Sequence, residues 1–236
     1  MAIVDVVDPL EVWGQSIRAR LPGADEGAWL QELQNAVEEF CIRSLCMQID
    51  LPITVAAGVA DYPLNPVDAV PVPAVVDWPG VQALYVHYAE FSWDGRPHFP
   101  TDYRPKYLYP NATSNPQTIY VVEPAVVGLF PVPGARLDGE LFTVHTALVP
   151  KRPISHVPKM LADYYFEGVL DGAVGRMMGH SKRPYSDPRM AQYHMTRFRN
   201  AMRTAKDEAL RRWGNAERSH SFNPDWSRST DTRHFR

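Results

Sequence analysis

Residues 158–213 read PKMLADYYFEGVLDGAVGRMMGHSKRPYSDPRMAQYHMTRFRNAMRTAKDEALRRW. Two helical periods run through this stretch. In the first half Leu161, Tyr165, Val169, Ala173 and Met177 recur every four residues, which predicts a helix over 158–178 with one apolar stripe. Gly168, Gly172 and Gly175 lie in the same segment. Each costs about 1 kcal/mol against alanine in a helix interior, so another element is expected to approach closely there. Asp187-Pro188 is a helix start, with aspartate as the cap and proline at the first helical position. Ala191, Met195, Phe198, Met202, Ala205 and Ala209 then form a second stripe, and Gly214 is expected to end that helix.

Upstream the same period occurs twice more. A short helix is expected from Pro9 to Arg20, ended by Leu21-Pro22-Gly23. Asp25 is a candidate cap for a helix from Glu26 to Met47, in which Trp29, Leu33, Val37, Phe40, Ser44 and Leu45 share a face. From Gln48 the period falls to two. Ile49, Leu51 and Ile53 alternate with Asp50, Pro52 and Thr54. Val81–Phe91, Thr118–Phe130 and Leu141–Val149 read as further strands, with turns at Ala57-Gly58, Asp94-Gly95, Pro131–Gly134 and Asp138-Gly139. Val67–Pro79 is too proline-rich for a central strand and reads as an extended loop or edge, and Pro97–Pro116 as an aromatic, proline-rich stretch. The fold class expected is α+β: an antiparallel helical bundle beside a small antiparallel β-sandwich or barrel, with an extended C-terminal tail. The expected division is residues 1–47 and 151–214 for the bundle, 48–150 for the proline-rich β domain and 215–236 for the tail. Strands do not alternate with helices, so a doubly wound nucleotide fold is not expected.

Composition narrows the function. The chain has 236 residues, of which 45% are hydrophobic and 22% charged, as in a globular protein that builds its own core. No run of about 18 apolar residues occurs, so no transmembrane helix is expected. The N-terminus carries Asp5 and Asp8 and lacks a basic region, so it does not read as a secretory signal. Cys41 and Cys46 are the two cysteines; their spacing suits no disulfide within a helix, which fits folding in a reducing cytoplasm. Asn111-Ala112-Thr113 matches a glycosylation sequon, read as chance in such a compartment. Seventeen of the 22 prolines lie between Pro52 and Pro158.

Chemistry-bearing motifs are missing from the sequence. It has no glycine-rich phosphate loop, no Gly-x-Ser-x-Gly elbow and no His-Glu-x-x-His pair. His145, in a strand with apolar neighbours, reads as structural. His180, His194 and His220 read as surface residues, and Cys41 as a small core residue rather than a nucleophile. Asp163, Glu167 and Asp171 recur every four residues and read as a solvated or interface face rather than as acid–base or metal-binding carboxylates. No enzyme activity, cofactor or metal is expected.

Charge is the most informative property. Residues 1–175 carry 10 Lys and Arg against 21 Asp and Glu, a formal −11, whereas residues 176–236 carry 14 against 6, a formal +8. Twelve of those 14 cations are arginine, the side chain that pairs in two places with carboxylate or phosphate. Arg189, Arg197, Arg199, Arg203, Lys206, Arg211 and Arg212 surround the last apolar stripe, and Arg218, Arg228, Arg233 and Arg236 continue into the tail. Phe222, Trp226 and Phe235 punctuate that polar tail and could insert into a neighbour as anchors. The candidate partner interface is therefore Arg199, Arg203, Arg211, Arg212, Arg218, Phe222, Trp226, Arg228, Phe235 and Arg236. An acidic protein surface is one partner of that chemistry. A nucleic-acid backbone is the alternative, which would make the chain a binding module with steep salt dependence.

The order of elements resembles that of the head-to-tail adaptor proteins of short-tailed phages, typified by the tubular tail protein A of T7-like viruses. The residues that carry the likeness are Phe40-Cys41-Ile42-Arg43-Ser44, Asp61-Tyr62-Pro63-Leu64 and Leu129-Phe130-Pro131-Val132-Pro133-Gly134. Further along, Val157-Pro158, Tyr164-Tyr165-Phe166-Glu167-Gly168 and Gly172-Ala173 match the second long helix, and Asp187-Pro188 with Ala191, Tyr193 and Phe198 the third. The resemblance spans roughly residues 25–213. It implies a helical bundle joined to a β domain, and a homo-oligomeric ring, usually a dodecamer, between the portal protein and the tail nozzle or tube. It further implies that the helical part and C-terminal segment engage the portal, while DNA passes through a central channel without sequence-specific binding. It places the protein in the virion neck, after synthesis in the host cytoplasm, with no membrane partner and no catalytic residues.

Overall fold

The computed structural model describes residues 6–64, 81–101, 113–123, 125–154 and 156–218. After the short strand β1 (Val6–Val7), Asp8 accepts a hydrogen bond from the Leu10 N–H at 2.7 Å and starts α1 (Pro9–Arg20). Asp25 accepts from the Ala28 N–H at 3.1 Å and starts α2 (Glu26–Ser44). Both caps satisfy backbone donors that a helix start leaves open. The second helix stops at Ser44 rather than Met47, because Leu45 turns left-handed with φ 53° and its N–H closes on the Cys41 carbonyl.

The chain then builds β2 (Gln48–Thr54), β3 (Asp61–Pro63), β4 (Val81–Phe91), β5 (Pro97–His98) and β6 (Pro100–Thr101). It continues through β7 (Thr113–Ser114), β8 (Thr118–Glu123), β9 (Val126–Phe130), β10 (Val132–Pro133), β11 (Leu141–Pro150) and β12 (Val157–Pro158). The last two elements are α3 (Lys159–Gly179) and α4 (Pro188–Arg218).

The architecture is α+β. Two four-stranded sheets form, in the orders β2-β11-β4-β5 and β3-β9-β8-β6. Their long strands pair antiparallel, with Val144 opposite both Leu51 and Ala89 at the centre of the first sheet. Tyr62 of the second sheet meets Phe142 of the first edge to face, at 5.3 Å between ring centroids.

Three expectations change here. Among the described residues no closed barrel forms. The segment expected as one strand over Thr118–Phe130 is a hairpin, β8 against β9, broken between Glu123 and Val126. Apolar runs on both sides of Glu123-Pro124 led the reading across that proline, which is the signal for the reversal. The pairing is also not wholly antiparallel: β6 with β8 and β7 with β10 are parallel. Each of these pairs joins short strands separated by a long connection, which is what parallel pairing needs. The expected loop at Val67–Pro79 lies outside the described residues.

At Gly128 the second sheet depends on a missing side chain. Gly128 stands directly opposite Tyr120, and the fully buried Tyr120 ring lies across it. The hydroxyl of Tyr120 reaches past the glycine and donates to Asp61 Oδ1 at 2.8 Å.

Helices α2, α3 and α4 pack on one another through the glycines of α3. A Cβ at Gly168 would stand 2.8 Å from the Ala201 Cβ, and one at Gly172 would stand 2.7 Å from the Phe198 ring and 3.0 Å from the Ala36 Cβ. The expected close approach is therefore made by α4 on one side and α2 on the other. The fully buried Phe40 links the three helices, 5.2 Å from Tyr165 and 6.1 Å from Phe198 between centroids. Trp13 ties α1 to α3, stacking on Phe166 at 5.9 Å while its indole N–H donates to the Phe166 carbonyl at 3.0 Å. That carbonyl follows a kink, where Tyr165 leaves helical geometry. One continuous apolar core joins these helices to the sheets through Met47, Leu51 and Leu148.

Candidate interaction surface

Helix α4 begins as its sequence indicates. Asp187 Oδ1 accepts from the Arg189 and Met190 N–H groups at 2.9 and 3.1 Å. Of the predicted stripe, Ala191, Phe198, Met202, Ala205 and Ala209 are buried, and Met195 packs against the core. Toward its far end α4 is tethered to the β region, where the Gln48 side chain donates to the Ala209 carbonyl at 3.3 Å. The helix does not stop at Gly214 but continues to Arg218. One glycine within a helix costs about 1 kcal/mol, and Ala216, Glu217 and Arg218 are helix formers beyond it.

This geometry distributes the candidate interface residues. Arg199, Arg203 and Arg211 are exposed on α4, as is Lys206. Among the described residues none of these four makes an ion pair. At about 100° per residue, Arg199, Arg203, Lys206 and Leu210 fall within about 60° of one another. They form a cationic row with one exposed leucine, on the flank of α4 next to α2. Arg199 also borders an open groove of about 490 Å³ with Glu32, Arg176, His180 and Met195. Arg212 and Arg218 lie on the final turns of α4. Phe222, Trp226, Arg228, Phe235 and Arg236 lie outside the described residues, as does His220.

On the opposite flank the charges are paired, and two expectations are overturned. Asp171 is not on a solvated face: it is 1% exposed. His194 is not a surface residue: it is 6% exposed, and its Nδ1 lies 2.7 Å from Asp171 Oδ1. Arg197 Nε reaches Asp171 Oδ2 at 3.0 Å, and Arg20 from α1 reaches Oδ1 at 3.5 Å and Glu167 at 3.1 Å. One carboxylate thus joins α1, α3 and α4. A buried charge survives only when partners replace its water, and these three side chains supply them. Arg197 also lies over the Tyr193 ring at 5.6 Å. The Tyr193 hydroxyl, and after it Asp171, raise the Arg197 pKa above its ordinary value. A signal for His194 was present in the sequence, since it stands three residues after Ala191 and four before Phe198, in the buried register.

The remaining candidates are structural. Burial, and then the neighbouring Cys46, push the Cys41 thiol well above its ordinary pKa, the reverse of an activated nucleophile. His145 Nδ1 lies 2.6 Å from Asp50 Oδ1, a bond that holds the Asp50 carboxyl below its usual pKa, and the His145 ring stacks on Tyr88 at 4.1 Å. A pocket of about 460 Å³ opens between the sheets, lined mainly by Tyr85, Phe99, Val121 and Val122 with His87 at its edge. Among the described residues no group of three or more His, Cys, Asp or Glu could hold a metal ion. No helix of the described residues is long and apolar enough to cross a membrane.

Burial, with a smaller contribution from His145, lowers the His87 pKa to about 4. Unfolded histidine titrates near 6.5, so between about pH 6.5 and pH 4 the unfolded chain takes up more protons and stability falls as pH falls. Lowering pH from 7 to 5 is expected to cost about 1 kcal/mol through this residue, after allowance for its partial exposure. In urea melts at the two pH values, His87→Gln should shrink the acid-induced loss; an unchanged loss would refute this origin.

A family model described as SU10 adaptor protein matches residues 4–220. The match takes in the helices, both sheets and the whole of α4. The chain belongs to the SU10 adaptor protein family. It is a family of phage head-to-tail adaptors, so the adaptor resemblance holds at the level of the adaptor family. No curated protein matches the chain. The family identifies a phage structural component, and the exposed cationic row and buried Asp171 junction of this adaptor are features of its last two helices.

Proposed function

We propose that this adaptor is a non-catalytic ring component that joins the portal of a virion to its tail, with DNA passing through the central channel. The ring is homo-oligomeric, a dodecamer by analogy with the adaptors it resembles, with a tail nozzle or tube protein below it. The observation that carries the reading is the cationic end of α4. Arg211 stands exposed near the end of a helix otherwise locked by its buried face, and the arginines continue past Arg218 into a tail with three aromatic residues, Phe222, Trp226 and Phe235. A rigid helix delivering a charged, aromatic extension suits a neighbouring protein with an acidic surface.

Because α4 extends to Arg218, the informative truncation begins at Ser219. Removing residues 219–236 should abolish binding to the portal protein of the same virus by at least about tenfold. The circular dichroism spectrum and thermal midpoint should stay at wild-type values. Undiminished portal binding by the truncated chain would overturn the docking role of the tail. Tight duplex DNA binding by the free chain, falling steeply with salt, would instead favour a nucleic-acid module.

A further inference from the structure

We propose that neighbouring copies of this chain meet head to tail, the Arg199–Arg203–Lys206 row of one copy seated on the Asp163–Tyr164–Glu167 face of the next. The proposal rests on the ring reading above and names the surfaces that would build it.

The receiving face is on the N-terminal half of α3. Tyr164 is 65% exposed, more than any other large hydrophobic side chain among the described residues. Asp163 and Glu167 lie about 40° apart around the helix with Tyr164 about 60° beyond Glu167; both acids are exposed, and Glu167 already pairs with Arg20 at 3.1 Å. An exposed aromatic ring beside carboxylates is a surface suited to cations, which can pair with the acids and stack on the ring. The donating face has the opposite character, with three exposed cations around Leu210, which is 45% exposed. Apolar and charged groups on one face thus find counterparts on the other.

Two physical arguments commit the occupant to a second copy. The cationic row calls for an acidic surface and the Asp163–Glu167 face for a cationic one, and repeated copies of this chain supply both, each covering the row of one neighbour and the α3 face of the other. Row against row would oppose three cations to three cations, which is unfavourable, and a two-fold contact of row with acidic face would need both patches on one surface of the chain. A contact between two different patches is heterologous, and it closes into a ring when the rotation allows.

Placement of the patches fits this geometry. Arg197 and Glu208 lie about 160° around α4 from the cationic row. Both face α3, Arg197 through Asp171 and Glu208 through the Tyr165 hydroxyl at 3.0 Å. On α3, Asp163 and Glu167 lie about 130° around the helix from Gly168, Gly172 and Gly175, which face Ala201, Phe198 and Met195 of α4, so the α3 face is turned away from α4 and is a surface separate from the row.

The test is charge reversal in the full chain, read by mass photometry and sedimentation velocity, alone and with the portal protein of the same virus. Arg203→Glu and Asp163→Arg should each weaken association between copies by at least about tenfold. Combining them should restore association to within about threefold of wild type, because the swapped charges again oppose each other. Both sites are exposed, so thermal midpoints should remain at the wild-type value. Single variants that assemble like wild type, or a double variant as defective as the singles, would overturn this contact while leaving the ring standing. A wild-type chain that stays a single copy both alone and on the portal would overturn the ring itself.

Discussion

Asp171→Ala is expected to destabilise the chain by about 3 kcal/mol in urea unfolding followed by circular dichroism. The carboxylate is almost fully buried and holds His194, Arg197 and Arg20 from two other helices. Removing it leaves His194 buried without its acceptor, and leaves Arg197 and Arg20 with one counter-charge fewer. Arg20 keeps Glu167 and both arginines reach solvent, which holds the cost at the lower end for a broken buried pair. Since the junction ties α1 and α4 to α3, Arg20→Ala and Arg197→Ala should each cost less than Asp171→Ala. Their effects should also fall short of additive with it. A loss below about 1 kcal/mol for Asp171→Ala would show that the junction does not contribute as its burial implies.

Gly128→Val should have a comparable effect for a different reason. The Tyr120 ring occupies the space where a Cβ at position 128 would stand, and the ring is fully buried and held at its hydroxyl by Asp61. A valine must expel the ring, losing its burial and its hydrogen bond together, at a cost of about 3–4 kcal/mol. Gly128 is not in a glycine-only backbone conformation, since its φ is not among the positive values. The requirement is space alone. A double-mutant cycle with Tyr120→Ala separates the two possibilities. If the ring is what forbids the side chain, adding valine to Tyr120→Ala should cost at least about 1 kcal/mol less than adding it to wild type. Equal costs in both backgrounds would refute the steric account.

The same two positions mark where reading from sequence succeeds and where it stops. Helix starts at Asp25 and Asp187 were legible because a cap and the donors it satisfies lie within three residues. The range of β4, Val81–Phe91, and the span of α1 were legible because period and turn residues are also local. The glycines of α3 announced a close neighbour, because their cost in a helix needs some compensation. They could not say which neighbour, and Phe198 and Ala36 come from helices 26 and 136 residues away in the chain. Asp171 and His194 were misread as surface groups because each looks polar in its own helix. Only the arrival of α1 and α4 over Asp171 removes its water and replaces it with partners. The hairpin β8–β9 was missed although Glu123-Pro124 interrupts the apolar run, because the residues on either side each read as strand and the break between them is short.

Charge separation, helix count, strand content and the cationic character of the last helix were all properties of the ordered residues alone, since they depend on composition and on neighbours a few positions apart. Which cations are paired and which are left for a partner was set by folding. Arg197 and Arg199 are two residues apart and chemically identical, yet about 200° of helix rotation turns one toward Asp171 and the other to solvent. Packing sorts them because burying a charge is tolerable only where an opposite charge already stands, and that place is made by residues distant in sequence.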